Sequence, residues 1–384
     1  MIVSRLILKN WRNFQSVDVS LGERVFLAGP NASGKSNLLD VFRFLRDIVV
    51  NGLQKAVRDR GGVSKIRCLS ARRHPDIEIG IQFSIAGEKE SLWEYAIGIK
   101  QKGGGYREFQ PYLSYEKVWK SGQIIISRPD DSDKADVLRL TQTHLEQISA
   151  NAQFREISNF FESVLYLHIV PQLLRYPREF LGSGLPGDPF GRSFLERVSR
   201  TNEKTRRARL KKNETALRMA VPQLKQLTHV IDTEEGGIPH LEVLYEHWRM
   251  RGAKQREDQF SDGTLRLIGL LWSLLESDSL LLLEEPELSL NTAIVKKLPA
   301  LIYRLQIQKN RQVILSTHSA DLLSDKGIGG DEVLLLMPGQ EGTQVELASS
   351  NKEIRELLEG GLSIADAALP YTVPDNIGQL EIFK

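Results

Sequence analysis

The chain has 384 residues, with 51 Lys and Arg against 49 Asp and Glu, and a single cysteine. That length can bury a large core, as one large domain with an inserted lobe or as two domains. Cys68 alone excludes an internal disulfide framework and a cysteine-rich zinc site and suits a reducing, cytoplasmic compartment, while a net charge of +2 by itself names no polyanionic partner.

The first five residues carry no signal-peptide pattern, and residues 1–28 read as strands with turns. Within them Asn10-Trp11-Arg12-Asn13-Phe14 is a short basic-aromatic segment. Arg12 would either reach a nucleotide, with an aromatic ring flanking the base, or stand as a cation on a strand edge; the residues leave both readings open. Residues 24–28 form a short apolar strand, and Gly29-Pro30-Asn31-Ala32-Ser33-Gly34-Lys35-Ser36 follows at once.

This stretch reads GxxxxGKS, the phosphate-binding loop pattern. Strand, glycine loop and helix together present backbone N–H groups and a helix N-terminus to an anion. Gly29 and Gly34 let the backbone curl around phosphate oxygens. Lys35 would reach the β- and γ-phosphates and Ser36 would hold Mg²⁺, with Asn31, Gly34 and Asn37 lining the same loop.

Residues 37–60 read as helix, broken at Gly61-Gly62. Lys55, Arg58, Arg60, Lys65, Arg67, Arg72 and Arg73 make residues 55–73 basic. Strict alternation over 77–85, and again over 92–99 and 112–119, predicts an antiparallel meander with a turn at Gly103-Gly104-Gly105 and a further strand at 123–127. Asp130 to Asp133 reads as a solvated loop and 141–163 as helix. An apolar strand over 164–170 ends at Pro171-Gln172, and residues 176–193 are rich in Pro and Gly, as at a lobe boundary.

Residues 193–229 read as helices. Arg197 to Lys212 holds eight cations against Glu203 alone. Such a face neutralises nucleic-acid phosphates or is simply solvated, and both readings stand. Residues 241–247 read as a strand. Phe260-Ser261-Asp262-Gly263-Thr264 then leads into a helix over 267–275, with Ser261 and Asp262 suited to cap it; a serine and a glycine there also suit a γ-phosphate.

Leu280 to Leu283 is a buried-strand run that opens into Glu284-Glu285-Pro286-Glu287. The first acid would order a Mg²⁺ shell and the second polarise an attacking water. The apolar stretch 265–283 is cut by Glu276-Ser277-Asp278-Ser279, so it reads as helix, turn and strand and not as a membrane span. A helix over 292–305, kinked at Pro299, precedes a strand over 312–315 that ends in Ser316-Thr317-His318-Ser319. A histidine at the end of a core strand lies on the ligand edge of an open α/β sheet. A hairpin over 331–347 and a helix with a ragged tail complete the chain.

In this order the motifs resemble those of the ABC-type ATPases of the RecF/SMC-like group, most of all short bacterial ATPases of the OLD-like and abortive-infection-associated type. The likeness covers most of 1–48 and 260–325. It implies Walker A at 29–36, a signature motif at 260–264 whose Ser261 and Gly263 bind the γ-phosphate held by a second subunit, and Walker B at 280–284. It further implies that Glu284 serves the metal, Glu285 is the catalytic glutamate, Ser289-Leu290-Asn291 is the D-loop and His318 the switch histidine. Gln172 fits the Q-loop, and Gln82, in mid-strand, fits it less well. Glu284 stands where the family carries Asp, and Asp262 where transporter subunits carry Gly, which argues against a transporter.

The resemblance implies an α/β P-loop fold with an antiparallel β arm and an inserted helical lobe. The expected divisions are 1–175, 176–259, 260–330 and 331–384. The implied activity is slow hydrolysis of Mg-ATP between two subunits, coupled to assembly of a homodimer or larger oligomer with no membrane contact. Two roles compete. One is control of a separate effector, such as a Toprim-like nuclease, in anti-phage defence. The other is a RecF-like DNA-repair ATPase using the basic residues 55–73 and 197–212. The residues that follow the histidine strand hold no clustered acidic motif, so any nuclease is expected on another chain.

Overall fold

The structure is a computed structural model that describes residues 1–71, 75–88, 90–101, 110–176, 188, 190–232, 237–246, 253–276 and 279–373. Arg72 and Arg73, the turn predicted at Gly103-Gly104-Gly105, residues 177–187 and 189 of the Pro/Gly-rich stretch, His247, Ser277 and Asp278 of the predicted turn, and the tail from 374 lie outside them. The chain forms two compact units, residues 1–164 with 311–384, and residues 165–310.

The first unit begins with β1 (Ile2–Trp11), β2 (Phe14–Ser20) and β3 (Arg24–Ala28), followed by the helices Lys35–Asn51 and Leu53–Arg58. The predicted single helix breaks earlier than Gly61, at Gly52, whose φ of 81° suits glycine and whose N–H donates the last bond of the first helix, to Ile48 O. Next come β4 (Ile77–Ser84), β5 (Trp93–Gln101), β6 (Pro111–Lys120) and β7 (Gln123–Arg128). These make the expected antiparallel meander, in a sheet of order β2-β1-β4-β5-β6-β7. Alternation places Ile77, Ile79, Ile81 and Phe83 on the buried face. Phe83 meets Phe160 and Phe161 of the helix Arg155–Ser163, with ring centroids 5.1 and 5.6 Å apart.

Two expectations here are corrected. Asp130 to Asp133 is not a solvated loop. Asp130 caps the helix Asp131–Ala135, and Asp133 is fully buried, 2.8 Å from Arg128, which also holds buried Glu116 at 3.0 Å. Only Arg155–Ser163 of the predicted helix 141–163 is α-helical. Before it, side chains take the backbone groups a helix would use: Glu116 accepts from the amides of His144 and Leu145 at 2.7 and 3.1 Å, and Asn151 donates to Leu145 O at 3.1 Å.

The second unit opens with β8 (Leu165–Leu167) and the helix Pro171–Arg175, then the helices Phe194–Arg200 and Glu203–Ala220. Residues 224–229, expected as helix, belong instead to β9 (Leu224–Asp232). Pro222 halts the helical run, and Thr228, Val230 and Ile231 favour a strand. β9 joins β10 (Ile238–Tyr245) and β11 (Ala253–Arg256) in an antiparallel sheet of order β11-β10-β9. The helix Asp262–Glu276 leads to β12 (Leu281–Glu284), which pairs in parallel with β8, Leu282 opposite Tyr166. The predicted kinked helix is two helices, Thr292–Val295 and Leu298–Lys309. Pro299 sits in the first turn of the second, where its missing N–H leaves no bond unmade.

The chain then returns to the first unit with β13 (Val313–Thr317), β14 (Val333–Gly339) and β15 (Gly342–Leu347). β3 pairs in parallel with both β13 and β14, and β15 closes that edge as the expected hairpin. β3 and β13 are wholly buried, which explains why both read as continuous apolar runs without alternation.

Candidate functional site

In the first unit, β3 ends at Ala28 and the helix Lys35–Asn51 starts six residues beyond Gly29. Gly34 adopts φ +97°, and a Cβ there would run into the Asn13 side chain. A Cβ at Gly29 would lie 2.5 Å from Leu336 O. Both glycines are therefore demanded by the space. Ala32 is also left-handed, with φ 61°. Lys35 is buried and turns back across the loop, donating to Gly29 O at 2.9 Å and Pro30 O at 3.0 Å. An anion in the loop would exchange for these carbonyls. Asn31 and Ser36 are exposed, Ser36 in the first turn of the helix, and Asn37 is half-buried.

His318 follows the last residue of β13 and is exposed, its Nδ1 3.5 Å from Lys35 Nζ. The strand-end histidine and the loop lysine thus share one edge of the sheet, because β13 runs parallel beside β3 with Thr317 opposite Ala28.

Arg12 lies on the other side of the loop helix. It donates to Asp40 at 3.0 Å, and Trp11 beside it is fully buried, its indole donating to Asn37 O at 2.8 Å. Asp40 also holds Arg60 at 2.9 Å. Burial alone would raise the Asp40 carboxyl, but Arg60, Arg43 and Arg12 hold it below the usual carboxylate range.

In the second unit, Glu284 is the last residue of β12 and accepts the Tyr166 hydroxyl from neighbouring β8. Glu285 follows with φ 44°, so the chain turns sharply as it leaves the sheet. Ser289 is left-handed too, at φ 61°. Its carbonyl oxygen lies 2.6 Å from where a Cβ on Gly263 would stand, so the 260–264 segment and the 289–291 segment touch backbone to backbone. Ser261 caps the helix Asp262–Glu276: its Oγ accepts from Thr264 N at 3.2 Å and lies 2.9 Å from Thr264 Oγ1. Gln172 Nε2 donates to Asp262 at 3.2 Å, which ties the candidate Q-loop to the candidate signature. Gln82, the other glutamine considered, sits within β4 opposite Arg5 and Glu94.

Four of the left-handed non-glycine residues, Arg12, Ala32, Glu285 and Ser289, fall in or beside the segments that the motifs single out. Backbone strain of this kind costs about 1 kcal/mol or more per residue and concentrates where function requires a fixed geometry.

Several residues escaped the sequence reading. Asn13 donates to Ser33 O at 2.8 Å and to Thr343 Oγ1 at 2.7 Å, and accepts from Asn37 at 2.8 Å, so it braces the loop, its helix and β15 together. Arg175 donates to Asp262 at 2.7 Å and to Phe260 O at 2.6 Å. Arg266 is buried among Asp262, Glu285 and Glu287, and burial lowers its pKa. No spacing announces these residues. Only Tyr166 carried a trace of its role, as the polar member of an apolar strand.

Within the first unit Ser36 offers an exposed hydroxyl at the head of a helix, and within the second Glu284 offers a carboxylate at a strand end; no group of three or more His, Cys, Asp or Glu among the described residues forms a metal cage by itself. Mg²⁺ takes most of its oxygens from phosphate and water.

A family model described as "AAA domain, putative AbiEii toxin, Type IV TA system" matches residues 24–325. Among proteins of curated function none matches. Of solved structures, an Smc head bound to the C-winged helix domain of ScpA is similar, with a TM-score of 0.51 at 15% identity over 90% of this chain and 96% of that one. The Smc head with an extended coiled coil bound to the C-terminal domain of ScpA, from Pyrococcus furiosus, also gives 0.51, at 14% identity over 94% and 99%. At these identities the likeness is one of fold, and no helix among the described residues is long and apolar enough to cross a membrane. With the family model running from β3 past the strand-end histidine, the chain belongs to this AAA-domain family, and its fold is that of the P-loop ATPase heads of Smc proteins.

Proposed function

We propose that the protein is a Mg-ATP-dependent assembly switch, in which ATP draws two copies together and hydrolysis releases them. The observation that carries the reading is the loop of the first unit, a glycine-demanding turn with a buried lysine held across it and His318 at 3.5 Å. Lys35 and the loop amides bind the phosphates, with Asn31, Gly34 and Asn37 shaping the loop. Ser36 and Glu284 hold Mg²⁺, which neutralises phosphate charge. Glu285 polarises the attacking water and His318 contacts the γ-phosphate or that water. Ser261 and Gly263 serve the nucleotide of the opposite copy, and Gln172 reports its presence to Asp262. Arg12 steadies the loop helix through Asp40 in this reading and reaches the nucleotide only if that pair opens.

A site completed by a second copy converts nucleotide state into association, so turnover is slow. The family description names a toxin of a toxin–antitoxin system, and the Smc heads of similar fold are bound to ScpA domains. Both support a role in which the ATPase grips or frees a partner protein, here an effector such as a nuclease in anti-phage defence inside the cytoplasm. The RecF-like alternative, direct DNA binding, draws on the basic run 197–212. Part of that run is spent within its own lobe: Arg197 pairs with Glu276 at 3.6 Å, and Arg209 donates to Glu276 O at 2.8 Å.

The test is the solution mass of the Glu285→Gln protein with and without Mg-ATP. The expected result is an ATP-dependent rise to a dimer or larger assembly, absent in Lys35→Ala. A variant that binds ATP and remains a monomer without partners would overturn the assembly reading and leave a simple P-loop switch.

A further inference from the structure

The groove between the helix Glu203–Ala220 and β9 encloses about 700 Å³ within the second unit. We infer that it is a second anion site, separate from the P-loop, that takes a small ligand carrying two or more phosphates. On the helix, Glu203, Arg207, Leu210, Lys211, Glu214 and Arg218 recur at spacings of three and four, so they share one face, and that face lines the groove. Lys225 and His229 line it from β9.

The charge of the lining is unbalanced. Five cations, Arg206, Arg207, Lys211, Arg218 and Lys225, face two carboxylates. One of those, Glu214, is buried and shared by Lys211 at 2.8 Å and Arg218 at 2.9 Å. The other, Glu203, meets Arg207 in an exposed pair, which contributes little in water. Lys225 has a carboxylate outside the lining, Glu246 at 3.3 Å, again in an exposed pair, so two positive charges are left over. His229 Nε2 is buried without a hydrogen-bond partner, and an anion in the groove would supply one.

Shape and chemistry select the ligand. The volume lies within the range of about 300–1,000 Å³ usual for small-molecule sites. Among the described residues no Phe, Tyr or Trp lines the groove, and these offer no platform for stacking the bases of a single strand. Phosphate groups are what remain for it to recognise. The structure also divides the basic run of residues 197–212: Arg197 and Arg209 serve the lobe, while Arg206, Arg207 and Lys211 serve the groove with two cations from outside the run.

The experiment uses the full chain carrying Lys35→Ala, so that the P-loop does not report, and inorganic triphosphate as the probe in titration calorimetry. Binding is expected, and Arg207→Glu with Lys225→Glu should weaken it by about tenfold for each cation removed. Lys204→Glu with Lys212→Glu changes the charge equally on exposed positions outside the groove and should leave binding within about twofold. The melting temperature of each variant confirms that it is folded. No binding, or equal losses in both double variants, overturns the site. A short DNA duplex that binds more tightly than triphosphate through Arg207 and Lys225 overturns the ligand class and makes the groove a nucleic-acid surface.

Discussion

Arg175 holds the Asp262 carboxylate at 2.7 Å and the Phe260 carbonyl at 2.6 Å, so one guanidinium fixes both ends of the segment that opens the helix Asp262–Glu276. Gln172, one helical turn earlier, reaches the other Asp262 oxygen at 3.2 Å. Charge-assisted bonds of this kind contribute about 1.5–3 kcal/mol each. Arg175→Ala should therefore lower ATP turnover at saturating ATP by about tenfold. Affinity for ATP should change little, since Lys35 and the loop are untouched. Arg175→Lys keeps the charge without the two-pronged geometry and should recover only part of the rate. Steady-state kinetics with the three proteins decide it; full turnover in the alanine variant would remove Arg175 from the machinery.

Gly263 offers a sharper steric prediction. A Cβ there would stand 2.6 Å from Ser289 O, and that oxygen is backbone, which cannot swing aside. Gly263→Ala should cost about 1–3 kcal/mol, as overpacking does, and should separate the 260–264 segment from the 289–291 segment. Thermal melting reads the first effect and ATPase rate the second. Gly87 is the control, since nothing lies within 4 Å of its Cβ position. Its φ of +84° still adds a small cost on substitution, but no loss of turnover is expected.

Asp40 of the loop helix links Arg43 of the same helix to Arg12, just after β1, and to Arg60. Its carboxyl is held below the ordinary value of 3.8. A depressed folded-state pKa stabilises the fold above the unfolded value and loses that contribution as pH falls through the folded one. The wild-type protein should therefore lose stability on acidification below about pH 4, more steeply than Asp40→Asn. At neutral pH the variant should be less stable by about 3 kcal/mol, the usual cost of breaking a buried pair from one side. Arg60 keeps Asp47 at 2.8 Å as a second partner, so the loss should not exceed this. Denaturant unfolding at several pH values checks both parts.

The phosphate loop, the acidic strand end and the strand-end histidine were legible because each couples a short motif to a buried strand, and buried strands read as unbroken apolar runs. The meander was legible for a related reason: Ile77 to Phe83 alternates in sequence as it does in burial. What failed was decided by partners that residue periodicity does not register. Asp133 looks solvated until Arg128 and Glu116 are placed around it. Residues 142–151 look helical until Glu116, more than 25 residues earlier, claims their amides. Residues 224–229 follow a long helix, and only Pro222 marks the change to β9. Asn13 and Arg175 were invisible because a single polar residue carries no period, and its role exists only once its partners are assembled.

Asn13 provides the last prediction. Its side chain spends both amide hydrogens and its oxygen: on Ser33 O, on Thr343 Oγ1 and on the Asn37 amide. The loop is thereby tied to β15, which also donates the Thr343 amide to Asn13 O at 2.8 Å. Asn13 packs directly against Gly34, where a Cβ would collide with it. Removing the side chain leaves the loop covalently intact but unbraced, so the amides that face phosphate are no longer held in place before it arrives. Preorganisation lost in this way appears as weaker binding, since ordering the loop must be repaid on each association. Asn13→Ala should weaken ADP and ATP affinity by about tenfold and lower stability by about 1–2 kcal/mol. Asn13→Asp keeps the oxygen that accepts from Asn37 and loses the donors to Ser33 and Thr343. It also brings a negative charge close to the phosphates, and should bind nucleotide more weakly than the alanine variant. Fluorescent-nucleotide titration ranks the three proteins. If alanine matches the wild type in affinity while melting lower, Asn13 serves only the fold; if affinity falls with the melting temperature nearly unchanged, the brace exists for the nucleotide.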